Sequence, residues 1–401
     1  MISNKSDFYS FFIAIFPLFL ILGNALLNFY FLISIFFLLF ELINSKNQFK
    51  VLFKSIDSIL IIFFSLILLI NSYKDNFSLD LILIFRFLIF FFFIKIINNL
   101  NLLNINKILF LMSLIYVFVV LDTLIQYIFG KDIFGFEISS NHSGRLTGPF
   151  GDEPIPGSFI VSFMFIAFFY INKILNKQSL SFILATLSLL TIFLTGEKIS
   201  FLMSIFGFFL ILLFSLNKKN IIKVSWSLIF LISLLYLVLT NNFVLLANYI
   251  RLFNYFEYDF IVSSPYFQHF LTGYMMFLDF PIFGIGHDNF KNLCSSYEYK
   301  YFKSILLPLR CAAHIHNLHF QIITSYGIFC YLLFFFFIFT SLFSLYKKIN
   351  LQYYYPIFIQ LLILIIPLKT SGDLFASWYG SLFWFSLAFN FALLKKYKLV
   401  S

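Results

Sequence analysis

The chain has 401 residues, of which 61% are apolar and only 11% charged, and its mean hydropathy is +0.96. Soluble domains carry roughly 45–50% apolar and about 25% charged residues, so this composition excludes a water-soluble globular protein and is that of an integral membrane protein. The 27 Lys and Arg against 17 Asp and Glu leave a formal charge of +10, and where those charges fall decides whether they face nucleic acid or lipid. With 65 Phe in the chain, single aromatics carry little weight.

Apolar runs long enough to cross, or nearly cross, a hydrocarbon core of about 30 Å predict helices in chain order. They cover Phe8 to Leu22, Ala25 to Ile43, Ile56 to Ile70, Leu79 to Ile97 and Ile108 to Phe129. After a polar gap come Gly157 to Ile171, Leu180 to Leu194, Ile199 to Leu216 and Ile221 to Thr240. A polar stretch of 73 residues, Asn241 to Ala313, precedes Leu318 to Tyr346, Tyr353 to Leu368 and Leu374 to Leu394. The breaks at Gly23-Asn24 and Thr195 to Lys198 are so short that their flanking helices must form tight hairpins. The runs are too long for β-barrel strands. The expected architecture is all-α: one polytopic membrane domain over residues 1–401, with about twelve transmembrane helices and a large outer loop between the ninth and tenth.

Basic residues are retained on the cytoplasmic side of a membrane, so their distribution over alternate loops sets the orientation. One set of loops, running from Lys5 through Lys95, Lys107 and Lys173 to Lys398, holds 16; the opposite set, without the long loop, holds 5. Both termini are therefore expected in the cytoplasm, with the surplus charge facing anionic lipid, and a nucleic-acid partner drops out. The first run has features of a signal peptide, but another apolar run follows at once, so an uncleaved first helix is expected.

With this orientation two outer segments stand out, 130–156 and 241–313, and long polar loops on one side of a bundle tend to carry function. The first contains Ser143-Gly-Arg-Leu-Thr-Gly-Pro-Phe-Gly-Asp-Glu-Pro-Ile-Pro-Gly157, whose Gly and Pro content specifies a fixed turn displaying Arg145. The hairpin Thr195-Gly-Glu-Lys-Ile-Ser-Phe201 holds Glu197 and Lys198 at the membrane edge, where a cation meets a lipid phosphate or merely snorkels. Gly284-Ile-Gly-His-Asp-Asn-Phe290 is a turn exposing His287. Arg310-Cys-Ala-Ala-His-Ile-His-Asn-Leu-His-Phe320 enters a span with His314, His316 and His319. No Cys pair or carboxylate completes a ligand pattern around those histidines, so no metal is expected. Neutral imidazoles at a helix start suit proton transfer instead.

Arg86 is the one Lys or Arg well inside a span, a functional candidate by default, with Asp122 and Gln126 as possible partners or as a polar seam between helices. Cys294 and Cys311, 17 apart, form a candidate disulfide on the oxidising side, free thiols being the alternative. Closing that loop would contribute about 3 kcal/mol in the chain-entropy model. Cys330, inside a span, reads as a packed core thiol.

The order of these motifs resembles the superfamily of bacterial O-antigen ligases and O-antigen polymerases. The most specific likeness is His-Asn, nine residues, Gly, two residues, then Gly, Thr or Tyr, met here by His316-Asn317, Gly327 and Cys330. Only the last position departs. The ligase-like region runs from about 145 to 345, while the first five helices resemble the family in topology alone.

The resemblance implies an inner-membrane glycosyltransferase, with its site on the periplasmic face, that moves a glycan from undecaprenyl pyrophosphate without cofactor or metal. Its acceptor would be a glycan or a lipid A core, surrounded by membrane lipids, with a lean towards polymerase. It further implies that Arg145 and Lys198 clamp the pyrophosphate, with Lys198 replacing the usual arginine, and that His316 is the acceptor base. Arg251 and Arg310 are weaker phosphate candidates, and His314 and His319 are understudies to His316. Glu197, His287 and Arg86 complete the expected substrate-binding set. The competing class is a transporter or lipid-linked oligosaccharide flippase, which predicts internal repeats and polar residues near mid-membrane; the sequence shows no repeat and gathers its polar groups at one face.

Overall fold

The computed structural model describes residues 2–45, 55–74, 79–138, 145–215, 264–295, 311–347, 351–366 and 372–398, with isolated positions between 225 and 240. Among these residues the chain is all-α, with a single isolated bridge between Lys131 and Glu137. In chain order the helices are α1 (Ile2–Ala14), α2 (Phe16–Leu22), α3 (Asn24–Asn44), α4 (Ser55–Lys74), α5 (Leu79–Asn99), α6 (Ile105–Phe129) and α7 (Pro156–Phe169). They continue as α8 (Gln178–Leu194), α9 (Lys198–Ser215), α10 (Pro265–Asp279), α11 (Asn289–Cys294), α12 (Leu318–Tyr346), α13 (Leu351–Ile365) and α14 (Ser377–Lys398).

Five described stretches are long and apolar enough to cross a membrane: Lys5–Leu22, Asn24–Asn44, Ile105–Phe129, Pro156–Ile174 and Leu318–Tyr346. The chain is thus an all-α polytopic membrane protein. The first predicted run is divided at Ile15 into α1 and α2, with Pro17 in the first turn of α2, where a missing backbone N–H leaves no bond unmade. The predicted ninth run, Ile221 to Thr240, lies outside the described residues apart from its isolated positions.

Helix α7 is apolar on all sides and every one of its residues except Ser158 is buried, as expected of a helix at the centre of a bundle. It packs against α6, α8, α9 and α13. Gly207 on α9 admits Phe165 and Ile363, since a Cβ there would lie 2.2 Å from the Phe165 ring and 2.8 Å from Ile363. Between helices in lipid, such close packing replaces the hydrophobic drive available in water.

The two ends of the bundle differ chemically. At one end the basic set meets acids: Lys5 lies 2.7 Å from Glu41, Lys107 lies 3.0 Å from Asp7, and Lys95 pairs with Asp57. At the other end the start of α3, the start of α7, the loop entering α12 and the start of α14 converge on one cavity. That polar end carries the candidate site.

Candidate functional site

The outer loop bearing Arg145 is anchored to α6. Gln126 Oε1 accepts hydrogen bonds from the backbone N–H groups of Thr147 and Gly148, both at 2.8 Å, and its Nε2 donates to Thr147 Oγ1 at 3.1 Å. One turn earlier, Asp122 Oδ1 accepts from Ile133 N at 2.9 Å. Asp122 and Gln126 therefore hold this loop, and the expectation that they partner Arg86 is corrected. The Arg86 guanidinium instead donates to Asn28 Oδ1 at 2.8 Å and Ser377 Oγ at 3.3 Å, stacked over Phe87 at 4.6 Å. It does not line the cavity; it ties α5 to α3 and α14, because a cation at that depth is stable only when helices supply its partners.

Arg145 crosses the α8–α9 hairpin, its Cγ 3.6 Å from where a Cβ of Gly196 would stand. One amino group donates to Pro154 O at 3.3 Å, and the buried Nε has no acceptor among the described residues. The neighbouring Glu197 is buried and accepts from Gly157 N (2.6 Å), Ser158 N (2.8 Å), Ser158 Oγ (2.6 Å) and Ser200 Oγ (3.1 Å). The two amides lie in the first turn of α7, the favoured end of a helix for an anion. Burial raises the Glu197 carboxyl above its ordinary range, while Ser158, Arg145 and Gly157 oppose the rise. Glu197 therefore faces the protein, where it joins the hairpin to α7, instead of the cavity as the expected binding role would require. Lys198, half-buried, opens α9 directly behind it.

The histidine loop has its own scaffold. Asn317 caps α12, its Oδ1 accepting from His319 N at 3.0 Å and Phe320 N at 3.1 Å, which satisfies two donors that a helix start leaves open. His316, just before the cap, adopts φ +59, and Ile315 N donates to Gln321 Oε1 at 2.9 Å. Further along, Gly327 interrupts α12 at φ +76, and a Cβ there would stand 2.1 Å from Ile282 O. Gly284, at φ +66, approaches the same helix so closely that its Cβ would meet the Ser325 carbonyl carbon at 2.4 Å. Ile285 N and Gly286 N donate to Thr324 O and Ser325 O, each at 2.9 Å, and Ile328 N donates to Pro281 O at 2.9 Å. Two of the recognisable motifs are thus two halves of one backbone-to-backbone contact.

Segment 264–295 seats on the outer part of α12 through this contact, through Thr324 Oγ1 donating to Gly273 O at 3.1 Å, and through the stacked Phe270 and Phe320 rings. Met276, Ile285, Phe290, Cys294 and Ile315 form a small core of its own. A disulfide joins Cys294 to Cys311, with Cα atoms 5.5 Å apart. The segment brings Tyr266 and His269 to the loop, so that the His316 ring centroid lies 4.2 Å from His314, 5.3 Å from His269 and 5.6 Å from Tyr266. Burial lowers His316 below the ordinary imidazole range, and burial with the neighbouring His316 and His269 pulls His314 down to about 4. His319 does not join them: its Nε2 faces Ile365 O at 2.9 Å and its Nδ1 the Tyr331 hydroxyl at 3.3 Å. Its role as understudy is corrected, since His316 precedes the helix with a left-handed backbone whereas His319 sits in the first helical turn, its ring held by Ile365 and Tyr331.

The cavity encloses about 410 Å³, and its wall includes His314, His316, Tyr266, Ser158, Glu153, Asp373, Phe150 and Trp378. Ser158 connects it through Glu197 to the Arg145 hairpin. Behind Asp373 stands His287, which does not line the cavity. Its backbone N–H donates to Asn71 Oδ1 at 2.7 Å, Nδ1 lies 2.8 Å from the Tyr326 hydroxyl, and Nε2 lies 3.4 Å from Asp288. Burial raises Asp373 above the usual carboxylate range and the His287 charge opposes this. His287, Asp288 and Asp373 bring three potential metal-ligating atoms within 4.8 Å of one another. The contacts of His287 are those of an imidazole held by the Tyr326 hydroxyl with Asp288 beside it. Arg251 and Arg310 lie outside the described residues. Asp373, Ser158, Tyr266, His269 and Trp378 were missed in the sequence. Parity of the spans was the available signal for Asp373, which it places on the same face as the histidines.

Residues 182–335 match a family model described as O-antigen ligase. This region, less than half of the chain, is similar to the O-antigen ligase family. The ligase region contains the Thr195–Lys198 hairpin, the 284–290 turn, His316-Asn317, Gly327 and Cys330, whereas Arg145 precedes it. At family level the match supports glycan transfer of O-antigen ligase or polymerase type, with a lipid-linked glycan donor and a glycan acceptor. A comparison with curated proteins finds no match.

Proposed function

We propose that this protein is a glycosyltransferase that moves a glycan from undecaprenyl pyrophosphate to an acceptor sugar at the periplasmic face of the inner membrane, acting as a polymerase in preference to a ligase. The observation that carries the reading is the joint cavity: His316 and His314 line it beside Ser158, and Ser158 is hydrogen-bonded to the Glu197 that lies in the field of Arg145.

In the proposed reaction the acceptor O–H breaks as its oxygen bonds to the anomeric carbon, and the proton passes to the neutral His316 imidazole. The bond from the anomeric carbon to phosphate breaks with its electron pair, leaving on the pyrophosphate. Arg145 and Lys198 stabilise the charge that accumulates there, and fixed cations act most strongly on charge that develops in the transition state. Arg145 suits an oxyanion through its planar fork, while Lys198 acts as a point charge. A depressed imidazole pKa keeps His316 neutral, and so able to accept a proton, at neutral pH.

The break in α12 bears on the transporter alternative. Broken helices in transporters expose backbone groups to a central pathway, whereas Thr324 O and Ser325 O are hydrogen-bonded to the 284–286 turn. This favours a fixed scaffold for a site over a moving gate.

The test is transfer by purified protein in lipid, supplied with undecaprenyl-pyrophosphate glycan from the source organism, with and without lipid A core, followed on gels. Wild type should build a ladder of lipid-linked chains, and His316→Ala should lose the ladder while still binding donor. A single product on the core would make the protein a ligase. Full turnover by His316→Ala would remove its role as base.

A further inference from the structure

The cavity wall contributed by the α13–α14 connection and its neighbours differs in chemistry from the histidine loop. Asp373 is 7% exposed, and its Oδ1 accepts from Phe375 N at 2.6 Å, which orients the carboxylate. His287 stands behind it, with a ring nitrogen and the Asp373 carboxylate among three polar groups within 4.8 Å of one another. Five residues on, the half-buried Trp378 has its indole fixed by donation from Nε1 to Leu20 O at 3.0 Å, and Phe150 meets it edge-on with ring centroids 6.3 Å apart. Glu153, exposed, adds a second carboxylate to the same cavity.

Carboxylates repel a pyrophosphate, so this wall does not suit the anionic part of a lipid-linked donor. They are strong acceptors for hydroxyl donors, and a fixed indole beside them offers a flat apolar face with a polar edge. A carboxyl acceptor next to a rigid aromatic ring matches a neutral pyranose, which has hydroxyls at its rim and C–H groups on its faces. The cavity volume of about 410 Å³ falls in the range of roughly 300–1,000 Å³ typical of small-molecule sites.

We infer that Asp373 and Trp378 form the subsite for the acceptor sugar, with Asp373 accepting from its hydroxyls and Trp378 carrying its ring, so that the reacting hydroxyl is presented to His316. This inference rests on the transferase reading above and adds the recognition of the acceptor to it. The sugar then lies inside the cavity against the acids and the indole, and Arg145 stands outside its wall, beyond Ser158 and Glu197.

The test uses the full-length protein in lipid nanodiscs and a soluble oligosaccharide of one repeat unit from the source organism's surface glycan, carrying no phosphate. Calorimetric titration gives its Kd, and steady-state transfer onto it gives separate KM values for acceptor and donor. Asp373→Asn keeps the shape and replaces one acceptor oxygen by an amide donor; loss of the hydrogen bond accepted there should raise the oligosaccharide Kd and the acceptor KM about tenfold. The donor KM should remain unchanged. Trp378→Leu should weaken the oligosaccharide alone in the same way, and decides the matter if Asp373→Asn does not fold. Wild-type binding of the oligosaccharide by either variant overturns the subsite, as does a rise in donor KM equal to that for acceptor. If wild type binds the oligosaccharide and transfers nothing, the transferase reading fails while the variants still report on the sugar site. If wild type does not bind it, the subsite fails whatever the transfer assay shows.

Discussion

Two side chains of the histidine loop have separable roles. Asn317 closes the start of α12 with two hydrogen bonds, so Asn317→Ala should cost about 1 kcal/mol of stability. The loop should also loosen, lowering transfer by more than the change in folded fraction explains, and Asn317→Asp should largely restore both; thermal melting alongside turnover checks this. His314 makes stability depend on pH. Its pKa is about 4 in the folded protein against an ordinary 6.5, so between those values the unfolded chain binds more protons. Its contribution is intact above about pH 6.5, falls as the pH drops towards 4, and falls no further below that. The melting temperature of wild type should decline over that window, and His314→Asn should flatten the decline. Unchanged slopes in the two proteins would show that His314 titrates normally.

At the scale of elements, the decisive contact is the crossing of segment 280–286 over the break in α12. Gly327 permits both its left-handed backbone and the approach of Ile282 O to 2.1 Å from the position of an added Cβ. Gly327→Ala therefore meets backbone on backbone, where nothing flexible can yield. We expect a loss of several kcal/mol, the order found for large packing and strain defects, visible as a sharp fall in melting temperature. Gly130→Ala, where an added Cβ meets nothing within 4 Å at φ +78, separates the parts: it carries backbone strain without the collision and should cost roughly 1–2 kcal/mol. The family pattern around His316-Asn317 thus combines a helix cap with a backbone crossing ten residues later. The motif locates chemistry because it builds the support beneath it.

For the molecule as a whole, the alternation of basic loops carries the orientation. The ion pairs of Lys5, Lys95 and Lys107 gather at one end, while the cavity opens at the other. In a cysteine-free background, Asp152→Cys should react with a membrane-impermeant thiol reagent applied to intact spheroplasts, and Lys177→Cys only after permeabilisation. The reverse pattern would turn the site to the cytoplasm and end the periplasmic reading. The all-α class and the edges of most described helices were legible in the sequence, because a bilayer imposes length and hydropathy on each helix separately. Among the described residues, five of the expected twelve spans are long and apolar enough to cross. The hairpin at Gly196, the turn at Gly284 and the entry to α12 were legible for a related reason: glycines and polar residues are conspicuous against so apolar a background.

Local chemistry in the sequence was enough to identify a membrane-spanning bundle, the face on which its polar loops gather, and His316 beside a helix start. The tertiary structure decided which of those groups meet. It removed Arg86 to a junction between helices, turned Glu197 inward onto the start of α7 and sent His319 away from His316. It also brought Asp373 and Trp378, some sixty residues beyond the histidine loop, into the same cavity. The physical reason is that hydropathy and capping act over a few residues and are written along the chain. The partners of a buried charge or a cavity wall are set by which helix ends pack side by side, and nothing in the local spacing of those residues records it.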